Sequence, residues 1–547
     1  MGFVSALAIS GLVIGGCGVA KSSSIDSGGP GDDAGAGGAS GDADNTGTNS
    51  TEDNVDLSMY SDSAGSPDIQ HGTEGYTPPA SIPKNVHDRI FVAFLNGGQE
   101  TPPVDSAALG VLVLILNRAG TRLDYLLGHN VQSPTAAHIH TGNPGEAGPI
   151  TIPLRSMLPN TGGTLPITAE QTQNLLAGKL YVNVHSTANA AGEIRGQLLR
   201  PGETLFVAPL RGVEENPPVT TTATGFASVV LSAARDQIRY HLTTTGITPT
   251  AAHIHRGIAG VNGPVVYPLA PLGAVIDGTQ TITDADLKDF ALRQFYANVH
   301  SATNATGEMR GQLLRPGESA FGARLTGAQE VPPSGSLHTG SGMAVLGMAG
   351  SQFLYVLNTD ATPTAAHVHK APGGVNGAVE VPFMPLSQAM SGFADLGADR
   401  AADIKRGLWY MNIHTADHPM GDIRGQLLRP GETLYTAVLA GANEVPPVTT
   451  MAGGGVGFIL NAGRTELRYD GALTGIMPTL AHIHAAPAGM NGPVLYPLAI
   501  MTMGTTLSGT QPVTADDLTK LDAAGLYANA HSVANPTGEE RGQINKQ

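Results

Sequence analysis

The fold is decided by the stretch Ala251-Ala252-His253-Ile254-His255, which is followed further along the chain by Tyr296-Ala297-Asn298-Val299-His300. This pair of stretches occurs four times. The His-x-His motifs begin at His138, His253, His367 and His482, so the period is 115, 114 and 115 residues. Such a long and regular period indicates tandem copies of one domain, not a solenoid of short units. Each copy has the commonest size for a single hydrophobic core.

Composition and charge narrow the class of protein. The 547 residues include 72 Gly and 38 Pro, and only 5% are aromatic, which favours many turns and short strands over long helices. The formal net charge is −16, which argues against a nucleic-acid partner because binding phosphates requires a basic surface. There is one cysteine, so the chain cannot form an internal disulfide.

The pattern within one repeat predicts strands. Residues 225–231 and 237–242 alternate apolar and polar side chains, as half-buried strands do. One helix per repeat is indicated by Thr283 with Asp286, close to a capping box, and residues 399–406 are the candidate helix of the third repeat. The sequence therefore predicts an all-β fold: four tandem Greek-key β-sandwich or barrel domains, each with one short helix.

The repeats set the domain boundaries. An Arg-Pro-Gly-Glu segment, such as residues 315–318, joins one repeat to the next. The predicted domains are a signal peptide at 1–17, a disordered acidic tether at 18–88, and repeats at 89–203, 204–318, 319–432 and 433–547.

The first residues predict export. The apolar run that ends at Cys17 is too short to span a bilayer and fits the core of a signal peptide. Ile14-Gly15-Gly16-Cys17 resembles the lipobox of bacterial lipoproteins, although Ile14 replaces the usual leucine and no Lys or Arg precedes the run. The resemblance implies lipidation of Cys17, and Gly18 favours the outer membrane or cell surface. The alternative is a buried N-terminal strand with an inert thiol.

A tether follows this segment. Residues 21–80 contain eleven acidic residues and one base, Lys21, and they lack apolar periodicity. Such a composition cannot bury enough apolar surface to offset the loss of backbone entropy, so this segment is predicted to be disordered. It would hold the folded repeats away from a membrane that the chain contacts only through its lipid anchor.

Histidines recur at three equivalent positions in each of the four repeats. In a strand, His253 and His255 point to one face while Ile254 points to the other, and His300 from a second strand can supply a third nitrogen. The twelve candidate metal ligands are His138, His140, His185, His253, His255, His300, His367, His369, His414, His482, His484 and His531. Three imidazoles without a thiolate suit copper or zinc, up to one ion per repeat. The alternative is that these histidines hydrogen-bond the backbone and hold a loop.

One arginine also recurs in every repeat, after an acidic residue. The four arginines are Arg195, Arg310, Arg424 and Arg541. In repeat 2, Glu308 lies two positions before Arg310, which favours a salt bridge on one face of a strand. The alternative is an anion-steering or second-sphere guanidinium beside the histidines.

These motifs resemble a known family. Ala-Ala-His-Ile-His at 251–255, Tyr-Ala-Asn-Val-His-Ser at 296–301 and Gly-Glu-Met-Arg-Gly-Gln-Leu at 307–313 are similar to the chordin-type domain, CHRD. The resemblance spans about 90–547 and implies an extracellular module. A weaker resemblance, to copper/zinc superoxide dismutase, implies a Greek-key barrel with the three histidines as copper ligands. A bridging histidine, a zinc-site cluster and a disulfide are missing, so a simpler mononuclear copper site is expected.

Two functions follow from the sequence. The first is a surface-anchored lipoprotein that presents four CHRD modules for adhesion or for binding an extracellular protein or surface ligand. The second is a copper-binding, redox-capable array with one three-histidine site per repeat. The sequence points to no catalytic residue and favours a non-enzymatic role.

Overall fold

The computed structural model describes residues 89–547 apart from 155–159, 348–349, 351 and 502–503. The predicted signal peptide with Cys17, residues 1–17, and the predicted acidic tether, residues 18–88, lie outside the described residues. Within the part of the chain that is described, no helix combines the length and the apolar character needed to cross a bilayer.

Each repeat is built from short strands, one α-helix and a three-residue 3-10 helix after its first strand, which confirms the predicted all-β fold class. Repeat 1 comprises Ile90–Asn96 (β1), Leu109–Leu116 (β2), Arg122–His129 (β3), Pro134–Thr141 (β4), Ile150–Pro153 (β5), Asn160–Pro166 (β6), Ala169–Leu176 (α1), Leu180–Ser186 (β7) and Ile194–Gln197 (β8). Repeat 2 comprises Thr204–Leu210 (β9), Thr224–Leu231 (β10), Gln237–Thr245 (β11), Ala251–Arg256 (β12), Val265–Pro268 (β13), Val275–Thr281 (β14), Asp284–Ala291 (α2), Phe295–His300 (β15) and Met309–Gln312 (β16).

The second half of the chain follows the same plan. Repeat 3 comprises Ser319–Thr326 (β17), Thr339–Leu346 (β18), Gln352–Thr359 (β19), Ala365–Lys370 (β20), Ala378–Pro382 (β21), Ala389–Asp395 (β22), Ala398–Lys405 (α3), Trp409–His414 (β23) and Ile423–Gln426 (β24). Repeat 4 comprises Thr433–Ala440 (β25), Gly453–Leu460 (β26), Glu466–Thr474 (β27), Pro478–Ala485 (β28), Val494–Pro497 (β29), Thr506–Pro512 (β30), Ala515–Asp522 (α4), Leu526–Ser532 (β31), Glu540–Gln543 (β32) and Asn545–Lys546 (β33).

The strands form two antiparallel sheets around one core. In repeat 2 the first sheet has the order β14-β11-β10-β9 and the second the order β13-β12-β15-β16. The other repeats keep this order, and one residue pair such as Asn96 with Arg195 joins their two sheets into a continuous one. In every repeat the third strand pairs with the sixth and the fourth with the seventh, and such returns between non-consecutive strands are those of a Greek key.

The core explains the middle residue of each His-x-His motif. Ile254 is 1% exposed and lies in one apolar cluster with Phe206 and Phe295, so it draws on both sheets. Its counterparts in the other repeats, Ile139, Val368 and Ile483, are fully buried. Because neighbours in a strand face opposite ways, this burial turns the two flanking histidines away from the core.

Helix capping follows the sequence signals. The backbone N–H of Asp286 donates to the Thr283 hydroxyl, and the Asp286 carboxylate accepts from the Thr283 backbone, which confirms the capping box of α2. The helices α1 and α4 carry the same box. In repeat 3 the helix starts at Ala398, one residue before the predicted start, and its N-cap, Gly397, makes no side-chain hydrogen bond.

Candidate metal centre

Adjacent strands of the second sheet bring the three predicted histidines of every repeat together. In repeat 2, β12 and β15 pair with His253 opposite Asn298 and Ala251 opposite His300. This register places all three imidazoles on one face. In each repeat one ring nitrogen per histidine lies within 4.8 Å of the corresponding nitrogens of the other two, and the four sets are His138 with His140 and His185, His253 with His255 and His300, His367 with His369 and His414, and His482 with His484 and His531.

The backbone fixes the tautomers of two of the three rings. His255 Nδ1 lies 3.0 Å from the carbonyl oxygen of Gly263, and His300 Nδ1 lies 3.0 Å from that of Ala305. A carbonyl oxygen can only accept, so both rings carry their proton on Nδ1 and leave a lone pair on Nε2. Such a carbonyl partner behind the ring is characteristic of metal-ligating histidines.

The same arrangement recurs in the other repeats. The second histidine of each set, His140, His369 or His484, donates from Nδ1 to Gly148, Gly377 or Gly492 at 2.9, 3.0 and 3.0 Å. The third histidine, His185, His414 or His531, donates to Ala190, Pro419 or Pro536 at 3.0, 3.0 and 3.1 Å. Among the described residues, Nε2 of the second histidine is therefore without a partner in all four repeats. Nε2 of the third histidine accepts a hydrogen bond from Nδ1 of the first in repeats 1, 2 and 4, and it would become a ligand once a cation takes the place of that proton.

The second histidine has an orphaned nitrogen. Its Nε2 is buried and has no hydrogen-bond partner among the described residues in any of the four repeats. An unpartnered buried nitrogen costs stability, so its presence calls for a ligand or another explanation. In repeat 2, Nδ1 of the first histidine, His253, lies 3.1 Å from Nε2 of His300, which is hydrogen-bond distance. A bound cation would take the place of the proton that the two nitrogens share.

The environment keeps these rings neutral. Burial and then the proximity of His300 and His255 lower the pKa of His253 below its ordinary value. Burial also lowers the pKa of His255, although its hydrogen bond to Gly263 acts in the opposite direction. The pKa values of His138, His367 and His482 are lowered for the same reasons as that of His253. Neutral imidazole is the form that binds a metal ion, so the rings are ready for one at neutral pH.

A tyrosine connects the histidines to the recurring arginine. Tyr296 stacks on His255 with ring centroids 4.9 Å apart and planes 8° from parallel, and the guanidinium carbon of Arg310 lies 3.4 Å from the Tyr296 centroid. Arg310 is 2% exposed and donates to the carbonyl oxygens of Ile258 and Val261. It therefore supports the loop that presents the Gly263 carbonyl.

The other repeats reproduce this stack. Arg195, Arg424 and Arg541 lie 3.4, 3.5 and 3.4 Å from the centroids of Tyr181, Tyr410 and Tyr527. All three arginines are buried, and burial lowers the pKa of Arg424 to about 10, so it stays charged at neutral pH. A guanidinium in this position contacts the second histidine only through the tyrosine ring.

The predicted salt bridge between Glu308 and Arg310 is wrong. The Glu308 carboxylate accepts from Ser301 at 2.6 Å and from Asn304 at 2.7 Å, and it also binds Thr221. The reason is that β16 begins at Met309, so Glu308 lies in the preceding turn, where the two-residue period of a strand does not apply.

A polar pair beside the histidines was not among the predicted site residues. Asn298, opposite His253, donates from Nδ2 to Glu215 Oε1 at 2.6 Å. Burial raises the pKa of Glu215 to about 7, although the nearby Arg310 acts in the opposite direction. Gly307, at φ +145°, makes room, because a Cβ there would lie 2.7 Å from Glu215 Oε1. The signal was the repetition of this pair as Glu100 with Asn183, Glu330 with Asn412, and Glu444 with Asn529.

Comparison with known proteins identifies the repeats. No curated protein and no solved structure matches the chain. The CHRD domain family model matches four segments, 91–198, 206–313, 321–427 and 435–544, which together make up more than half of the chain. CHRD domains occur in extracellular proteins, in line with the predicted export, whereas the lipoprotein signal and the resemblance to superoxide dismutase stay predictions. The chain therefore belongs to the CHRD domain family, of which it carries four tandem copies.

Proposed function

We propose that the protein is an exported copper-binding array in which each CHRD repeat takes up one ion between three imidazole nitrogens. In repeat 2 the ligands would be Nδ1 of His253, Nε2 of His255 and Nε2 of His300. Zinc is the alternative ion, because imidazole nitrogen suits both metals. The single observation that carries the proposal is the buried, unpartnered Nε2 of the second histidine, which recurs in all four repeats.

A purely structural role accounts for less of the geometry. Hydrogen bonding to the backbone uses only Nδ1 of His255 and His300, through Gly263 and Ala305. It gives no reason for His255 Nε2 to be buried without a partner close to one ring nitrogen each of His253 and His300. A cation at this point would satisfy all three nitrogens at once, and three protein ligands leave a coordination position for water or a further ligand.

Anchoring is part of the proposal. The lipobox-like segment at Cys17 and the acidic composition that follows it support a lipid anchor with a flexible tether, which would place four metal sites outside the membrane. In this arrangement the chain would capture or buffer metal ions at the cell envelope.

Metal analysis of the full chain tests the metal sites. After loading with copper and dialysis, we expect four ions per chain by elemental analysis, and nitrogen hyperfine structure in the electron paramagnetic resonance spectrum. His255→Ala should reduce the number to three. His338→Ala is the control, because His338 lies outside all four sets, and it should keep four ions. The proposal would be contradicted if His255→Ala still bound four ions, or if the unmodified chain bound none.

A second candidate function, ligand binding or adhesion, is favoured by a groove between repeats 3 and 4. The groove has a volume of about 670 Å³ and is lined by the Pro-Pro turns of both repeats, with Thr436 and Val438 of β25 on its wall. A groove of this size is large enough for a small ligand or an extended peptide.

A peptide library displayed on phage tests this second function. Selection on the full chain should yield peptides that bind it and fail to bind Thr436→Arg, which would fill the groove with a long cationic side chain. If no selected peptide distinguishes the two proteins, the groove is not a binding site for peptides.

A further inference from the structure

One recurring element takes part in every contact between successive repeats. We name it the docking loop: the loop after the His-x-His strand, at residues 142–148, 257–263, 371–377 and 486–492. In repeats 1 to 3 it packs against the outward side of the first sheet of the next repeat, which we name the receiving face. The docking loop and the receiving face therefore take part in all three internal junctions. The turn after the helix adds Leu292 at the second junction and Arg406, which binds Asp470, at the third.

The three junctions use equivalent surfaces of the fold but different side-chain contacts. At the first, Glu146 accepts from His241 at 2.9 Å. At the second, Ile258 and Ala259 enter an apolar cluster with Met343, Val345 and Val356 of the next repeat. At the third, two glycines meet so closely that a Cβ on Gly457 would lie 2.6 Å from the nitrogen of Gly373. The junction is thus a property of the fold that different side chains can satisfy.

Among the described residues, no docking loop lies on the receiving face of repeat 1. Leu126 on β3 is 61% exposed, whereas its counterparts in the later repeats, His241, Val356 and Asp470, are 8%, 2% and 8% exposed. On β2, Val113 and Ile115 are half-buried, whereas their counterparts in repeat 3, Met343 and Val345, are 0% and 2% exposed. Repeat 1 therefore presents an apolar face at a position that the other repeats bury.

The docking loop of repeat 4 is uncovered in the same way. Met490 is 58% exposed, and Pro487 and Ala488 are exposed. The counterparts of Pro487 and Ala488 in repeat 2, Ile258 and Ala259, are 3% and 7% exposed at the second junction. The loop keeps its folded shape, because Arg541 donates to the Met490 carbonyl at 2.8 Å.

We propose that the repeat 4 docking loop of one chain binds the repeat 1 receiving face of a second copy, so that chains associate head to tail. Both surfaces are apolar, like the two sides of the junction between repeats 2 and 3. The contact would continue the three junctions already present within the chain. Because its two sides are different surfaces, it is heterologous and can extend into rings or filaments.

Sedimentation of the full chain tests the association. We expect the weight-average mass to rise above the 56.0 kDa of one chain as the concentration increases. Leu126→Asp on the receiving face and Met490→Asp on the docking loop should each return the protein to the mass of one chain. Both side chains are largely exposed, so circular dichroism should show unchanged folding.

Mixing the two variants separates head-to-tail association from other modes. Leu126→Asp retains an intact docking loop and Met490→Asp retains an intact receiving face, so an equimolar mixture should form dimers and nothing larger. An association in which two receiving faces pair would leave Met490→Asp fully associated and would give no dimer rescue in the mixture, which overturns the proposal.

A control variant tests for non-specific association through exposed apolar side chains. Phe94 is 68% exposed, and its counterpart Val438, on the wall of the groove beside the third junction, stays 50% exposed with repeat 3 in place, so the docking loop does not cover this position. Phe94→Asp should therefore associate like the unmodified chain. The proposal is overturned if the unmodified chain keeps the mass of one chain at all concentrations. This holds whether the receiving face is then covered by residues 1–88 or by repeat 4 of the same chain.

Discussion

His255 Nδ1 lies 3.0 Å from the carbonyl oxygen of Gly263, eight residues further along the chain, and this contact directs the other ring nitrogen towards His253 and His300. The loop between the two residues is also the docking loop of repeat 2, and Arg310 holds it from inside. The tautomer of a candidate ligand therefore depends on the conformation of a loop at a junction between repeats.

Substitution of Gly263 should disturb the candidate metal site without touching a histidine. A Cβ at Gly263 would lie 1.6 Å from the carbonyl oxygen of Arg256, so Gly263→Ala must shift the loop and its carbonyl acceptor. Loss of such an outer partner typically weakens metal binding by about 10- to 100-fold. We expect copper titration of the full chain to show three sites of unchanged affinity and one weakened site.

The matched control lies in the same loop. Gly260 has φ +78° and no atom within 4 Å of an added Cβ, so Gly260→Ala strains the backbone but fits in space. Four equivalent sites are expected for this variant. Equal weakening in both variants would show that loop strain, and not the Gly263 acceptor, determines affinity.

Copper binding should fall as the pH is lowered. Burial and neighbouring imidazoles lower the pKa of His253 and its counterparts below the ordinary value of 6.5, so these rings take up protons at a lower pH than an ordinary histidine does. Protons then compete with the metal ion for the same lone pairs. Occupancy measured by equilibrium dialysis should remain at four ions near pH 7 and decline below the ordinary histidine pKa.

The folding free energy of the metal-free chain should respond to these histidines in the same direction. A lowered pKa in the folded state means that the unfolded state binds more protons, so their contribution to stability is lost as the pH falls. A double variant, His253→Gln with His255→Gln, should reduce the acid sensitivity of repeat 2 in urea unfolding at pH 5 and pH 7. An identical pH dependence in the variant would contradict this assignment.

The sequence was sufficient where local rules govern the structure. The two-residue period of β12 placed Ile254 in the core and His253 with His255 on one face, and the structure has both. The capping box at Thr283 predicted a helix that begins at Asp284. These features depend on residues close in the chain, which is why the pattern predicts them.

The rest depends on contacts between distant residues. Asn298 meets Glu215 across 83 positions because a particular register aligns β15 with the turn after β9. The spacing of Glu308 and Arg310 did not predict the contacts of Arg310, because the strand begins at Met309 and Glu308 lies before it. The junctions between repeats could not be predicted from the sequence pattern either. Their residues share no chemical type, because equivalent positions are His241, Val356 and Asp470 in three successive repeats.

A threonine at the cap of α3 should stabilise repeat 3. Gly397 has φ −81° and ψ 164°, which a threonine adopts readily, and no atom lies within 4 Å of an added Cβ. Gly397→Thr would add the hydroxyl acceptor that the other three helices have and would reduce the entropy of the unfolded chain. We expect a gain of about 0.5–1 kcal/mol in the unfolding of repeat 3, measured by urea denaturation. Gly397→Ala is the matched variant without the hydroxyl, and because alanine is a poorer N-cap than glycine it should be less stable than Gly397→Thr.

Glu540 is a buried acidic residue whose replacement should stabilise the chain. Its side chain is 0% exposed on β32, and both carboxylate oxygens lack a hydrogen-bond partner in the described structure. Burial, and then the charges of Glu539 and Glu444, raise its pKa to about 7. The other repeats have Ile194, Met309 and Ile423 at this position, all fully buried, so the site itself is apolar.

Glu540→Ile should therefore stabilise repeat 4, and more so at higher pH. Because the folded-state pKa of Glu540 is raised above its ordinary value of 4.5, the folded state holds the proton more tightly, and stability is lost as the pH rises from 4.5 through about 7. Removing the carboxyl should gain up to about 3 kcal/mol at pH 8 and less at pH 5. Urea unfolding at both pH values measures the difference. Ile194→Glu should place the same pH-dependent cost in repeat 1, and a gain from Glu540→Ile that is equal at both pH values would mean that packing, not ionisation, is responsible.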